Sequence, residues 1–154
     1  MEQIYQTYLN IIKNICTDSN DPVSVTPEQL PALANLAQEH CTVPFVLPCL
    51  RSASVYPSMK HQVKEMMLNY YQIEHFTRTT VSLLRENHID CYLLKGLSLA
   101  DCYPVPEYRK LGDLDLYLAE PEMLSQAQTV LESSGYILQD ELSDHHVTYY
   151  YNQL

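Results

Sequence analysis

Asp113 and Asp115 stand two apart in the run Gly112-Asp113-Leu114-Asp115-Leu116-Tyr117-Leu118. The alternation of leucine with other residues is the period of a β-strand. Residues two apart on a strand share a face, so both carboxylates point the same way, roughly 6 to 7 Å apart. Such a pair repels unless a cation lies between its members. Hard carboxylate oxygens suit Mg²⁺, usually in company with substrate phosphates. Upstream lies Leu93-Leu94-Lys95-Gly96-Leu97-Ser98-Leu99-Ala100-Asp101. The apolar run Cys91 to Leu94 reads as a buried strand, and Gly96 as a tight turn with close backbone approach. A helix starting near Ser98 would turn its unpaired N–H groups toward whatever sits above the strand. Lys95 is then a candidate phosphate contact, Gly96 and Ser98 a candidate phosphate cradle, and the loop residue Arg109 a candidate triphosphate clamp. Each also has a plainer reading. Asp113 and Asp115 could be a solvated strand face, Lys95 a charge closing a buried strand, and Arg109 a solvated loop residue. Asp101 reads as a surface residue rather than a base.

These residues need elements to position them. The chain has 154 residues, enough for one domain or slightly more, with a sizeable core. Ile4, Tyr5, Tyr8, Leu9, Ile11, Ile12 and Ile15 follow the helical period over 3–16. Thr26-Pro27-Glu28-Gln29 offers an N-cap, a proline at the first helical position and a Gln three residues after the cap. A helix from 27 to about 40 follows, burying Leu30, Leu33, Leu36 and Ala37. Val43 to Leu50, with two prolines, reads as a short helix or turn. Residues 58–88 contain neither Gly nor Pro, and Met59, Val63, Met66, Tyr70, Ile73, Thr77, Val81 and Leu84 step by three or four. That spacing predicts a helix of roughly 30 residues, about 45 Å long. Its Met-rich stripe reads as a core seam rather than a partner groove.

After Asn87-His88 come the strand, turn and short helix already described, then the proline-stiffened loop Tyr103 to Lys110. Pro121 starts a helix through about 133, with Gly135 as its C′ residue. Tyr136 to Gln139 and His146 to Tyr151 read as strands. His145 and His146 would point to opposite faces of such a strand, so they do not easily share an ion. Tyr149 to Tyr151 suit a half-buried β surface better than base stacking. The fold expected is α+β: a helical N-terminal region, 1–88, packed on a small mixed sheet in 89–154.

The formal charge of −10 argues against a duplex-wrapping nucleic-acid binder, which needs a basic face. A bound metal inverts local charge, so a nucleotide site is compatible with that balance. Five cysteines without a C-x-x-C suggest neither a disulfide framework nor a zinc site, and a reducing cytoplasm is the plain expectation. No apolar run is long enough for a transmembrane helix, and no basic leader is evident.

Leu94-Lys95-Gly96, Tyr103-Pro104, Arg109 and then Gly112-Asp113-Leu114-Asp115-Leu116 resemble the uncharacterised bacterial nucleotidyltransferase family of the DNA polymerase β-like nucleotidyltransferase superfamily. They are similar, more loosely, to the aminoglycoside nucleotidyltransferases. The close resemblance covers about residues 89–136. It implies transfer of a nucleoside monophosphate from an NTP to a hydroxyl of a small molecule or protein, with two Mg²⁺ ions. In that reading Asp113 and Asp115 are catalytic and hold metal, while Lys95, Gly96, Ser98 and Arg109 bind the nucleotide. Families of this kind carry a third carboxylate on a later strand. After Gly135-Tyr136 this chain offers only Asp140, Glu141 and Asp144, none in such a strand. The resemblance therefore implies a core truncated at its C-terminus. Two readings without chemistry stand beside it: a nucleotide-binding or regulatory module of the same fold, and an interaction domain carried by the helical region. The expectation for the structure is that Lys95 and Gly96 share one cleft with Asp113 and Asp115, and that the first 88 residues are almost wholly helical and contribute no catalytic group.

Overall fold

The computed structural model describes residues 2–19, 21–51, 53–139 and 147–151. Five α-helices run over Glu2–Cys16 (α1), Leu30–Glu39 (α2), Val43–Val46 (α3), Tyr56–Glu86 (α4) and Leu124–Ser133 (α5) among these residues. Four short strands among the same residues cover Cys91–Leu93 (β1), Leu116–Leu118 (β2), Ile137–Leu138 (β3) and Tyr149–Tyr150 (β4). The architecture is α+β, with no strand among the described residues before β1. Among the described residues the sheet is not mixed, however. β1 pairs antiparallel with β2, and β3 antiparallel with β4, as two separate two-stranded ladders. The step after β1 is also tighter than an α-helix: Gly96–Cys102 winds as 3-10 helix, as do Pro27–Gln29 ahead of α2 and Pro121–Met123 ahead of α5. His145 and His146 lie outside the described residues.

The chain divides into two compact units, and α4 passes from one into the other. The first comprises Met1–Tyr71 and Leu99–Gly112. Its core joins Tyr8 and Ile11 of α1, Leu33, Leu36 and Ala37 of α2, Val43 and Val46 of α3, Leu50, and Met59 and Val63 of α4. The α4 stripe is thus a core seam here. Tyr8 Oη and Thr42 Oγ1 lie 2.8 Å apart, which satisfies the polar end of a buried ring. Thr26 N–H donates to Gln29 Oε1 at 3.0 Å, in the capping box its sequence suggests. The segment 99–112 is tied down by specific bonds. Asn69 Nδ2 donates to the Leu111 carbonyl at 2.8 Å, and the Tyr71 hydroxyl donates to Glu107 Oε1 at 2.6 Å. That hydroxyl holds the Glu107 carboxyl below the usual glutamate range. Phe45 packs between the rings of Tyr103 and Tyr108, at 6.0 and 5.7 Å between centroids.

The second unit comprises Gln72–Ser98 and Asp113–Leu154. Leu84, Ile89, Cys91 and Ala127 form its buried centre, with Val81, Leu116, Leu118, Val130 and Leu131 around them. Thr80 Oγ1 and Tyr136 Oη lie 2.7 Å apart, and Tyr136 also packs against Phe76 and Tyr151, at 5.9 and 4.6 Å. Burial of that phenol pushes its pKa up.

The helix ends explain how a chain with three glycines makes its turns. α5 stops at Gly135, φ +90°, with Tyr136 N–H bonded to the Leu131 carbonyl and Gly135 N–H to that of Glu132. This is the two-bond Schellman stop, with the left-handed residue at C′. α4 ends the same way without glycine. His88 takes φ +60°, His88 N–H meets the Arg85 carbonyl at 3.0 Å and Ile89 N–H meets that of Leu84 at 3.0 Å. Leu84 and Ile89, the apolar pair across the stop, are 1% and 0% exposed, so the cap itself seeds the second core and delivers the chain into β1. A left-handed residue with a Cβ costs roughly 1–2 kcal/mol, which glycine avoids while losing more chain entropy on folding. His88→Gly is therefore expected to stabilise the protein by about 0.5–1 kcal/mol. Leu84→Ala is expected to destabilise it by about 2–5 kcal/mol. Urea unfolding of both variants checks this; a destabilised His88→Gly protein would contradict the account of the cap.

Candidate functional site

The β1–β2 ladder sets Cys91 opposite Leu118, Tyr92 opposite Tyr117 and Leu93 opposite Leu116. One further bond, Leu94 N–H to the Asp115 carbonyl at 3.0 Å, extends the pairing past the regular strands. Cys91, Leu116 and Leu118 turn to the α4–α5 core, so the alternate positions turn away from it. Asp115 and Tyr117 share that outer face with Tyr92 and Leu94. Asp113 and Asp115 thus precede the strand proper rather than lying within it, because the ladder's partner chain leaves at Lys95 to make its turn.

That turn has two successive residues at positive φ, Lys95 at +22° and Gly96 at +51°. A residue with a Cβ is held there at a cost on the order of 1 kcal/mol. Ser98 closes the turn. Its N–H and its hydroxyl both donate to the Lys95 carbonyl, at 3.0 and 2.8 Å. Ser98 therefore serves the turn's geometry with both donors. Gly96 comes close to the Asp strand: a Cβ placed on it would lie 3.5 Å from the Asp113 carbonyl oxygen. That is ordinary van der Waals contact and no clash, so the demand for glycine here comes from the positive φ.

The turn folds Lys95 back over the carboxylates. Lys95 Nζ lies 3.1 Å from Asp115 Oδ2, with the lysine side chain 61% exposed and the aspartate 22%. The contact with Asp115 first, then the charge of Asp115, then that of Asp113, hold Lys95 above the ordinary lysine value of 10.5. Asp115 Oδ2 is enclosed, and among the described residues no hydrogen-bond donor is well directed at it. The Lys95 approach has the distance of a hydrogen bond without its alignment, so it is best taken as an ion pair. An enclosed carboxylate oxygen without a directed donor, in the field of a second carboxylate, is an environment that accepts a cation. A hard divalent ion fits this donor set: two carboxylates leave most of an octahedron for water and phosphate oxygens. Among the described residues no group of three or more His, Cys, Asp or Glu side chains is gathered for a metal. Asp140, Glu141 and Asp144 lie outside the described residues.

The structure thus brings Lys95, Gly96, Asp113 and Asp115 together in the second unit. Arg109 belongs to the first, where its Nη1 donates to Tyr103 Oη at 3.4 Å and its guanidinium lies 5.7 Å from the centre of that ring. The helix side of β1 carries a separate groove of about 530 Å³, lined by Thr77, Arg78, Val81, Ser82 and Arg85 of α4 and by Cys91, Leu93 and Leu97. Sequence reasoning overlooked two residues on the carboxylate face, Tyr92 and Tyr117, which are 60% and 54% exposed. Their signal was present: each sits between two apolar residues at strand period, so each had to face away from the core.

No helix of the described residues is long and apolar enough to cross a membrane. Neither a curated protein nor a solved structure matches the chain. A family model described as uncharacterised nucleotidyltransferase matches residues 26–154, which takes in α2 to β4 and every residue of the turn and the Asp strand. With that match over most of its length, the chain belongs to the uncharacterised nucleotidyltransferase family.

Proposed function

We propose that this chain binds a Mg²⁺–NTP complex on the turn and Asp strand of its second unit and passes the nucleoside monophosphate to a hydroxyl acceptor. The observation that carries the reading is Asp115 Oδ2, enclosed and without a directed donor among the described residues, held 3.1 Å from a Lys95 ammonium on which the charge of Asp113 also acts. Asp113 and Asp115 would hold Mg²⁺, and the ion when bound supplies charge stabilisation at the phosphates. Lys95 compensates Asp115 in the free protein. On nucleotide binding its ammonium is released to a phosphate oxygen, and the carboxylate to the ion. The exposed lysine stem allows that exchange without unfolding the turn. Gly96 brings backbone close to the phosphates, and Ser98 keeps the turn in shape for them.

A second reading rests on the same pair. Lys95 already neutralises Asp115, so the site suits nucleotide binding without transfer. Pyrophosphate release with each NTP and Mg²⁺ separates the two.

Mg²⁺ and NTP are expected to bind with positive coupling, each raising the other's affinity by the same factor, of a typical size of about 5- to 150-fold. Asp113→Asn is expected to reduce that factor with the fold intact, since its side chain is exposed. Calorimetric titration of NTP with and without Mg²⁺, on both proteins, measures it. Equal NTP affinity in all four titrations would mean that the carboxylates are only a solvated strand face.

Lys95→Met separates the two partners by sign. Mg²⁺ alone is expected to bind more tightly, because Asp115 loses its competing cation. NTP is expected to bind about 10- to 100-fold more weakly, the size of a lost charge-assisted hydrogen bond. A fall in both affinities would contradict the exchange of partners.

The pH dependence follows from the raised Lys95 pKa. A raised value means that the pair's contribution to stability is complete below the ordinary lysine value of 10.5 and is lost as pH rises through the higher folded value. Lys95 is therefore expected to add no change in NTP affinity between about pH 7.5 and 9. Comparing wild type with Lys95→Met over that range tests it; a difference that shrinks within the window would show an ammonium that titrates early.

A further inference from the structure

The carboxylate face of the β1–β2 ladder carries an apolar patch that the phosphate chemistry leaves unused. Tyr92 and Tyr117 are cross-strand partners, 60% and 54% exposed, and Leu94, beside Asp115 in the same pairing, is 46% exposed. A strand face given to solvent is ordinarily polar. Here three large apolar side chains start at the carboxylate and continue along the ladder. The opposite face of the same strands is closed by Leu84, Ala127, Val130 and Leu131, so the tyrosines cannot turn inward.

We infer that Tyr92 and Tyr117 form the platform for the planar base of the nucleotide. The inference rests on the reading that the phosphates lie at Lys95 and Gly96. Tyr117 is two residues from Asp115, roughly 6 to 7 Å along the strand. Tyr92 stands directly across from Tyr117, at about 5.5 Å between Cα atoms for a hydrogen-bonded pair. A nucleotide anchored by its phosphates at the turn leaves its sugar and base to lie along this surface. Tyrosine suits that role because its ring face stacks, while its hydroxyl keeps the edge wet for hydrogen bonds to sugar or base. Stacking accepts every base, because every base has a π face, and it rewards ring area. The site therefore takes all four NTPs, with purines preferred to pyrimidines.

The test compares Mg²⁺–ATP with Mg²⁺–tripolyphosphate by calorimetry on the full chain, as wild type, Tyr117→Phe and Tyr117→Ala. Wild type and Tyr117→Phe are expected to bind ATP more tightly than tripolyphosphate. Tyr117→Ala is expected to lose ATP affinity by about 5- to 150-fold, the range for removing a stacking aromatic, with tripolyphosphate unchanged. A second probe uses the absence of tryptophan from the chain. Tyr117→Trp gives a single indole, whose fluorescence ATP should quench and tripolyphosphate should not. If ATP and tripolyphosphate bind wild type equally and Tyr117→Ala changes neither, the tyrosine platform is overturned while the phosphate site stands. If neither ligand binds wild type, the phosphate reading fails and the platform with it. If Tyr117→Ala instead changes the molecular mass in solution, the face is a contact between copies and the platform is overturned.

Discussion

The register of a three-residue ladder decides what this protein can present to a ligand. With Tyr92 opposite Tyr117, and Leu94 bonded to Asp115, the leucines of β2 enter the α4–α5 core and the carboxylate leaves it. A slip of one residue would bury Asp115 and Tyr117 and expose Leu116 and Leu118. Strands this short hold their register through what surrounds them. On one side stands the Schellman stop of α4, which packs Ile89 on Leu84 just before β1 begins. On the other stands the Lys95-Gly96 turn, closed by Ser98 and carrying its lysine back to Asp115. Register, cap and turn therefore depend on one another, and the candidate site is their common product.

The Lys95–Asp115 pair is weak evidence for stability and stronger evidence for function. A lysine that is 61% exposed gains little from a single ion pair in water. What the pair does is keep an enclosed carboxylate compensated. Membership of a nucleotidyltransferase family makes an anionic phosphate chain the ligand that the proposed exchange would serve.

Much of this was legible in the sequence, and the reasons differ from residue to residue. The long α4 was plain because no Gly or Pro interrupts its three-to-four spacing, and Gly135 marked the end of α5 because its φ of +90° requires it. The nearness of Lys95, Gly96, Asp113 and Asp115 followed from a turn at the end of one strand and a carboxylate pair at the start of the strand that pairs with it. Other features were hidden. The 3-10 winding of Gly96–Cys102 opens with Ser98 giving both donors to one carbonyl, which composition does not show. The separate antiparallel ladders, in place of a mixed sheet, are set by tertiary pairing rather than by period. The long-range bonds from Asn69 and Tyr71 assign residues 99–112 to the first unit, and no local pattern announces a bond between residues so far apart in the chain. Tyr92 and Tyr117 were readable from their place between apolar residues at strand period.

The central claim is that Lys95, Gly96, Asp113 and Asp115 form one nucleotide–metal site. Backbone amide NMR of the full chain, titrated with Mn²⁺–NTP in place of the Mg²⁺ complex, tests it most directly, because a paramagnetic ion broadens the signals nearest to it. The account predicts loss of the Gly96, Asp113 and Asp115 amide signals at low Mn²⁺–NTP, with those of α1 and α2 unaffected. Broadening centred on another part of the chain, or none at nucleotide concentrations that saturate binding, would contradict it.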